Sequence, residues 1–146
     1  MKTDEGSFFV DTNILVYASV RDDARHEACK RLLRNSTRTL NISAQILTEF
    51  YSIVTTPRRV SLPFEPSEAI AFIQALLSVG HVAVLPISSD VPHRLLALLR
   101  TTDARGPEVF DLQIAATMLA SGLTKLFTYN LRDFRAIAGI EAIEPD

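Results

Sequence analysis

The sequence predicts an α/β fold, a three-layer α/β/α sandwich with helices on both faces of a parallel sheet. Two observations carry the prediction. Short apolar runs of strand length alternate with stretches of helical periodicity along the whole chain. Strands separated by helices pair in parallel and are covered on both faces. With 146 residues, 47% of them hydrophobic, the chain has enough material for one core and too little for two. A single domain over 1–146 is therefore expected.

The elements follow in order. Phe8, Phe9 and Val10 form an unbroken apolar run that ends at Asp11, so 7–10 reads as a buried strand, and 13–19 suit a short helix. Asp22 and Asp23 cap a second helix over 24–35, whose Ala28, Leu32 and Leu33 make an inward stripe. Residues 39–42 are a short strand. Ser43 caps a third helix that must end near Pro57. Pro66 opens a fourth helix, with Ile70, Phe72, Ile73, Leu76 and Leu77 apolar, and Gly80 closes it. Residues 82–87 are the third strand, and a fifth helix follows, capped by Ser89 or Asp90. After a polar loop over 101–107, a sixth helix covers 109–121 and ends at Gly122. Residues 125–128 are the fourth strand, and a short fifth is expected near Ala142 and Ile143. Right-handed crossovers then place every strand's exit on one edge of the sheet.

Composition removes several classes of function. No apolar run approaches the ~18 residues of a membrane span. The segment Met1–Ser7 is charged and leads into no long apolar stretch, so no signal peptide is expected. Cys29 is the only cysteine, which excludes a disulfide framework and a thiolate metal cluster and points to the reducing cytoplasm. The net charge of -2 argues against nucleic acid only if the acids are dispersed. Setting aside Asp11, Glu49, Asp111 and Asp133 leaves 13 acids against 15 basic residues.

Those four acids are out of place. Asp11 stands at the exit of a buried strand, where open α/β sheets bind ligands. Glu49 borders the apolar stripe of the third helix, between Ile46 and Ile53. Asp111 lies within the stripe of the sixth, with Ile114, Ala115 and Met118 at helical spacing. An unpaired buried carboxylate is costly and needs compensation; the dipole at the first turn of the sixth helix is one innocent answer for Asp111. Thr128, Asn130 and Asp133 follow the fourth strand and offer oxygen atoms at the same edge as Asp11. Singly, each reads as a cap or turn residue. Gathered in one cleft they would repel, and a hard divalent cation removes the conflict; ligands with oxygen only, without Cys or His, point to Mg²⁺ or Mn²⁺. His26, His81 and His93 have no spacing that suggests a site.

Four segments, taken together, resemble the motifs of PIN-domain ribonucleases, most of all the VapC toxins of bacterial toxin–antitoxin pairs. They are Val10-Asp11-Thr12-Asn13, Glu49 in the third helix, the run from Phe110 to Ala116, and the run from Thr128 to Phe134. Order and spacing match over nearly the whole chain. The resemblance implies a PIN-like parallel sheet of four or five strands. It implies Asp11, Glu49, Asp111 and Asp133 as the acidic set, with Asn130 and Thr128 in support and Thr12 and Asn13 beside the first acid. Some relatives carry an acid where Asn130 stands, so a second metal is expected to bind more weakly here. A homodimer and a small VapB-type antitoxin are likewise implied.

The activity expected on this basis is Mg²⁺-dependent hydrolysis of RNA phosphodiesters by a toxin endoribonuclease. Asp11, Asp111 and Glu49 would serve the primary metal, with Asp133 and Asn130 orienting water or binding a second ion. Thr12 and Thr128 hydroxyls would hold the carboxylates in place. Residues 21–38 carry six basic side chains against three acids, and among the other arginines Arg132 and Arg105 lie nearest the motifs as RNA contacts. A PIN nuclease that processes RNA without an antitoxin and a degenerate, non-catalytic PIN scaffold are the alternatives. A phospho-receiver lacks its acid at the third strand's exit, and a nucleotide-binding domain lacks its glycine-rich loop.

Overall fold

A computed structural model describes residues 6–146. Most of the segment that bears on a leader peptide, residues 1–5, lies outside the described residues. The element order is β1 (Ser7–Val10), α1 (Thr12–Ser19), α2 (His26–Asn35), β2 (Thr39–Ile42), α3 (Ala44–Val54), α4 (Pro66–Leu77), β3 (Val82–Val84), α5 (Val91–Thr101), α6 (Glu108–Ala120), β4 (Lys125–Phe127), α7 (Leu131–Arg135) and β5 (Glu141–Ile143). The five strands form one parallel sheet in the order β3-β2-β1-β4-β5. The result is the expected three-layer α/β/α sandwich.

The apolar run at the start of the chain explains the centre of the sheet. Phe8, Phe9 and Val10 are all buried, as a strand covered on both faces requires. Phe8 stacks on Phe127 of the neighbouring β4, with ring centroids 4.5 Å apart. On the helix side, Ile14 and Leu15 of α1 and Ile46, Phe50 and Val54 of α3 are fully or almost fully buried. Phe50 stacks on Phe72 of α4 at 4.7 Å, so the aromatic residues of the third and fourth helices serve the core. The helix α5 packs against α6.

The chain builds β1, β2 and β3 in one direction and then crosses to the other side of β1 to lay down β4 and β5. The order reverses between β1 and β4, which is where open parallel sheets leave a crevice at the strand exits. Asp11 follows β1 at that place. Its N–H continues the ladder to Phe127 O at 3.0 Å, and Val10 pairs with Phe127 in register.

Several boundaries differ from the sequence expectation. The third strand stops at Val84: Leu85 still donates to Ile42 O, but Pro86 has no N–H to continue the ladder. Asp23 does not cap α2. Its carboxylate accepts from Arg25 N–H and the Arg25 guanidinium, and the helix begins only at His26. Ser43 occupies the cap position of α3, yet its hydroxyl makes no capping bond. Asp90 does the same at α5, where its carboxylate pairs with Arg94 at 2.7 Å instead. Gly80 is not the left-handed closing residue of α4, which ends at Leu77 with Ser78 as its cap. Gly122 does close α6, at φ 75°: Gly122 N–H donates to Leu119 O and Leu123 N–H to Met118 O.

Candidate active site

Asp11 is the N-cap of α1 and sits at the bottom of the crevice, 4% exposed. One carboxylate oxygen accepts from Thr12 N–H at 2.7 Å. The other accepts from the Thr128 hydroxyl at 2.7 Å and, more loosely, from the Asn13 amide at 3.4 Å. The Asn13 amide also donates to Thr128 Oγ1, which in turn accepts from Asn130 N–H. Thus the turn after β4 is laced to the start of α1 through the first acid. The Thr12 hydroxyl points the other way and donates to Glu49 Oε2 at 2.7 Å. Thr12, Asn13 and Thr128 therefore fix the two carboxylates by hydrogen bonds, as a scaffold around a charged site does.

The charges of Glu49 and Asp133 reach both Asp11 and Asp111. Burial pushes the Asp11 carboxyl up from 3.8 to about 6; its hydrogen bonds to Thr128 and Thr12 oppose this, and the charges of Glu49 and Asp133 add to it. Asp111, in the first turn of α6 and half-buried, is also raised to about 6, first by desolvation and then by the charges of Asp11, Asp133, Glu49 and Glu108. Asp133 in α7 and Glu49 in α3 are thus placed within electrostatic reach of both raised carboxyls. No acid of the set lies on the far side of the molecule from the others.

Among the described residues no three His, Cys, Asp or Glu side chains stand close enough to hold a metal ion as they are placed. The charges of Glu49 and Asp133 nonetheless contribute to raising both Asp11 and Asp111. The donor chemistry fits a hard divalent cation all the same. It consists of carboxylate oxygens alone, two of them made costly to ionise by burial and crowding.

The remaining sequence-predicted residues are less closely joined. The Asn130 side chain is exposed and makes no hydrogen bond among the described residues; its backbone N–H does the holding. Arg105 is exposed and pairs with Asp103 at 3.4 Å in the loop before α6. Arg132 is exposed on α7, one residue before Asp133. Two basic residues of the 21–38 segment serve other ends. Arg25 makes a bidentate pair with Asp23 and stacks 3.6 Å over the Tyr17 ring. Arg38 lies over Phe8, at the edge where the strands begin and opposite the acids. The histidines are packing or surface residues: His26 and His81 each bond a main-chain carbonyl, and His93 is exposed.

One residue of the site was not singled out in the sequence. Gln45 donates to Glu49 Oε1 at 2.8 Å and to Phe110 O at 3.1 Å. The first bond is readable, since Gln45 and Glu49 are four apart on one helix face. The second joins residues distant in the chain and has no sequence signal.

A family model for the PIN domain matches residues 8–140. The chain belongs to the PIN-domain family. Its relatives include Ribonuclease VapC24 of Mycobacterium tuberculosis, 28% identical over 127 residues, which are 86% of this chain and 87% of the relative. Ribonuclease VapC43 of the same species is 29% identical over 122 residues, 80% of this chain and 82% of that one. The fold of this PIN domain is also that of M. tuberculosis VapC20, described as a sarcin–ricin loop cleaving toxin, at TM-score 0.71 and 24% identity over 94% of this chain and 99% of the other. VapBC2 of Rickettsia felis, bound to a promoter DNA fragment, matches at TM-score 0.69 and 20% identity over 96% and 99%. The VapC-type resemblance read from the motifs is thus matched by the relatives. None of the described helices is long and apolar enough to cross a membrane.

Proposed function

We propose that this PIN domain is a Mg²⁺-dependent endoribonuclease, with Mn²⁺ as a substitute, that acts in the cytoplasm as the toxin of a toxin–antitoxin pair. The observation that carries the reading is the meeting of Asp11, Glu49, Asp111 and Asp133 at the switch point of the sheet, in a chain whose relatives are VapC ribonucleases. A VapB-type antitoxin is part of the proposal, supported by the likeness to VapBC assemblies, and a homodimeric state is proposed beside it from the motif resemblance alone.

Asp11, Asp111 and Glu49 would hold the cation, and Asp133 with Asn130 would orient the attacking water. When bound, the cation supplies Lewis acidity, lowering the pKa of water and offsetting charge on the phosphate. Thr128 and Asn13 keep Asp11 pointed at the crevice, and Thr12 keeps Glu49 beside it. Exposed Arg132 and Arg105 would meet RNA phosphates, which gives affinity without sequence preference. The test is incubation of the purified chain with total cellular RNA, with and without Mg²⁺, beside Asp111→Asn. Metal-dependent cuts that vanish in the variant are expected. Equal cleavage by both proteins would remove the assignment, and metal binding without cleavage would favour the scaffold.

A further inference from the structure

A chain of hydrogen bonds links two of the four acids, Asp11 and Glu49, and ends at the residue before a third. Asp11 holds Thr12 through its N–H, the Thr12 hydroxyl holds one oxygen of Glu49, and Gln45 holds the other. Gln45 then reaches out of α3 to the carbonyl of Phe110, the residue before Asp111. One amide therefore touches both a carboxylate of the cluster and the backbone that carries another. Among the described residues it makes the one hydrogen bond between α3 and α6.

The orientation of that amide is forced. A carboxylate and a carbonyl are both acceptors, so the nitrogen must face them. The oxygen is left over: Gln45 Oε1 is buried and accepts nothing. Only one other buried side-chain polar atom among the described residues lacks a partner, and it is Ser43 Oγ, two residues away at the start of the same helix. Native proteins rarely leave such atoms unsatisfied, and a methionine or leucine at position 45 would pack without that desolvation cost. Folding alone gives no reason for a glutamine here, whereas a double donor between two parts of an acidic site does.

We propose that Gln45 is a positioning residue of the acid cluster, its amide setting the spacing between the Glu49 and Asp111 carboxylates and so the affinity for a divalent cation. This rests on the reading of the site as a metal-dependent nuclease centre. It assigns Gln45 no contact with substrate; it acts through Glu49 and through the first turn of α6.

The experiment uses Gln45→Met, which keeps length and removes the donor, with Gln45→Ala as the second variant should the first not fold. Mn²⁺ binding to the full chain without RNA is measured by electron paramagnetic resonance. A dissociation constant about tenfold higher than the parent's is expected. The Mg²⁺ concentration for half-maximal RNA cleavage should rise by the same factor, while KM for RNA stays put. The melting temperature in chelator should hold to within about 3 °C. In a Glu49→Gln background, where only the arm to Phe110 is left, the substitution should change Mn²⁺ affinity by clearly less than in the parent. An unchanged Mn²⁺ constant in Gln45→Met, or a full additional loss in the Glu49→Gln background, would overturn the role of Gln45 alone. A parent chain that neither binds Mn²⁺ nor cuts RNA would overturn the nuclease reading and this inference with it.

Discussion

Asp11 accepts three hydrogen bonds and still takes up a proton near pH 6, because removal from water outweighs them. Its ionised form is therefore a standing cost to the fold, of the kind that functional sites retain. Asp11→Asn is expected to stabilise the chain at pH 7.5 in chelator by about 1–2 kcal/mol, read from urea unfolding, while lowering RNA cleavage about 100-fold or more. A variant that is both less stable and fully active would contradict this account. At this scale much of the site was legible. A carboxylate closing an apolar run, and another inside an apolar stripe, announce themselves by position. Arg25 and Arg38 were not legible as structural residues, because charge counting does not show that one is spoken for by Asp23 and Tyr17 and the other by Phe8.

At the scale of elements, the sequence punctuation succeeded where stereochemistry left no choice. Pro66 opens α4, and Gly122 closes α6 in the left-handed region that a side chain resists. Gly122→Ala should cost about 1–2 kcal/mol in urea unfolding through that backbone strain. Cleavage per folded molecule should be unchanged, since Asp111 lies about three turns away at the other end of the helix. A neutral Gly122→Ala would mean that the turn into β4 relaxes freely. The punctuation failed where the residue had a choice of partner. Ser43 and Asp90 occupy cap positions, yet one hydroxyl stays unbonded and one carboxylate prefers an arginine a turn ahead. Capping propensity names the residue type and leaves the bond to local competition.

For the whole molecule, the two raised acids set a pH dependence. Asp11 and Asp111 bind protons more tightly in the folded chain than at their ordinary value of 3.8. Stability should therefore fall as pH rises through the window from about 4 to 6, by about 3 kcal/mol for the buried Asp11 and by less for half-exposed Asp111. Asp23, held low by Arg25, loses its stabilising share only below that window. Urea midpoints in chelator should be higher at pH 5 than at pH 7.5, and Asp11→Asn should flatten the difference. A midpoint that climbs steadily over this range would mean that groups other than Asp11 and Asp111 govern stability there.

The sequence by itself determined the alternation of strands and helices, hence a parallel sandwich, and it marked the acids that do not belong on an apolar face. Both are properties of local periodicity, which a short window contains. Tertiary structure alone decided that β1 and β4 lie side by side at the reversal of strand order, which brings Thr128 onto Asp11 across 117 positions. It also decided that Gln45 reaches Phe110 across 65. Such meetings depend on crossover direction and strand register, which arise from packing the whole core and from no single stretch of chain.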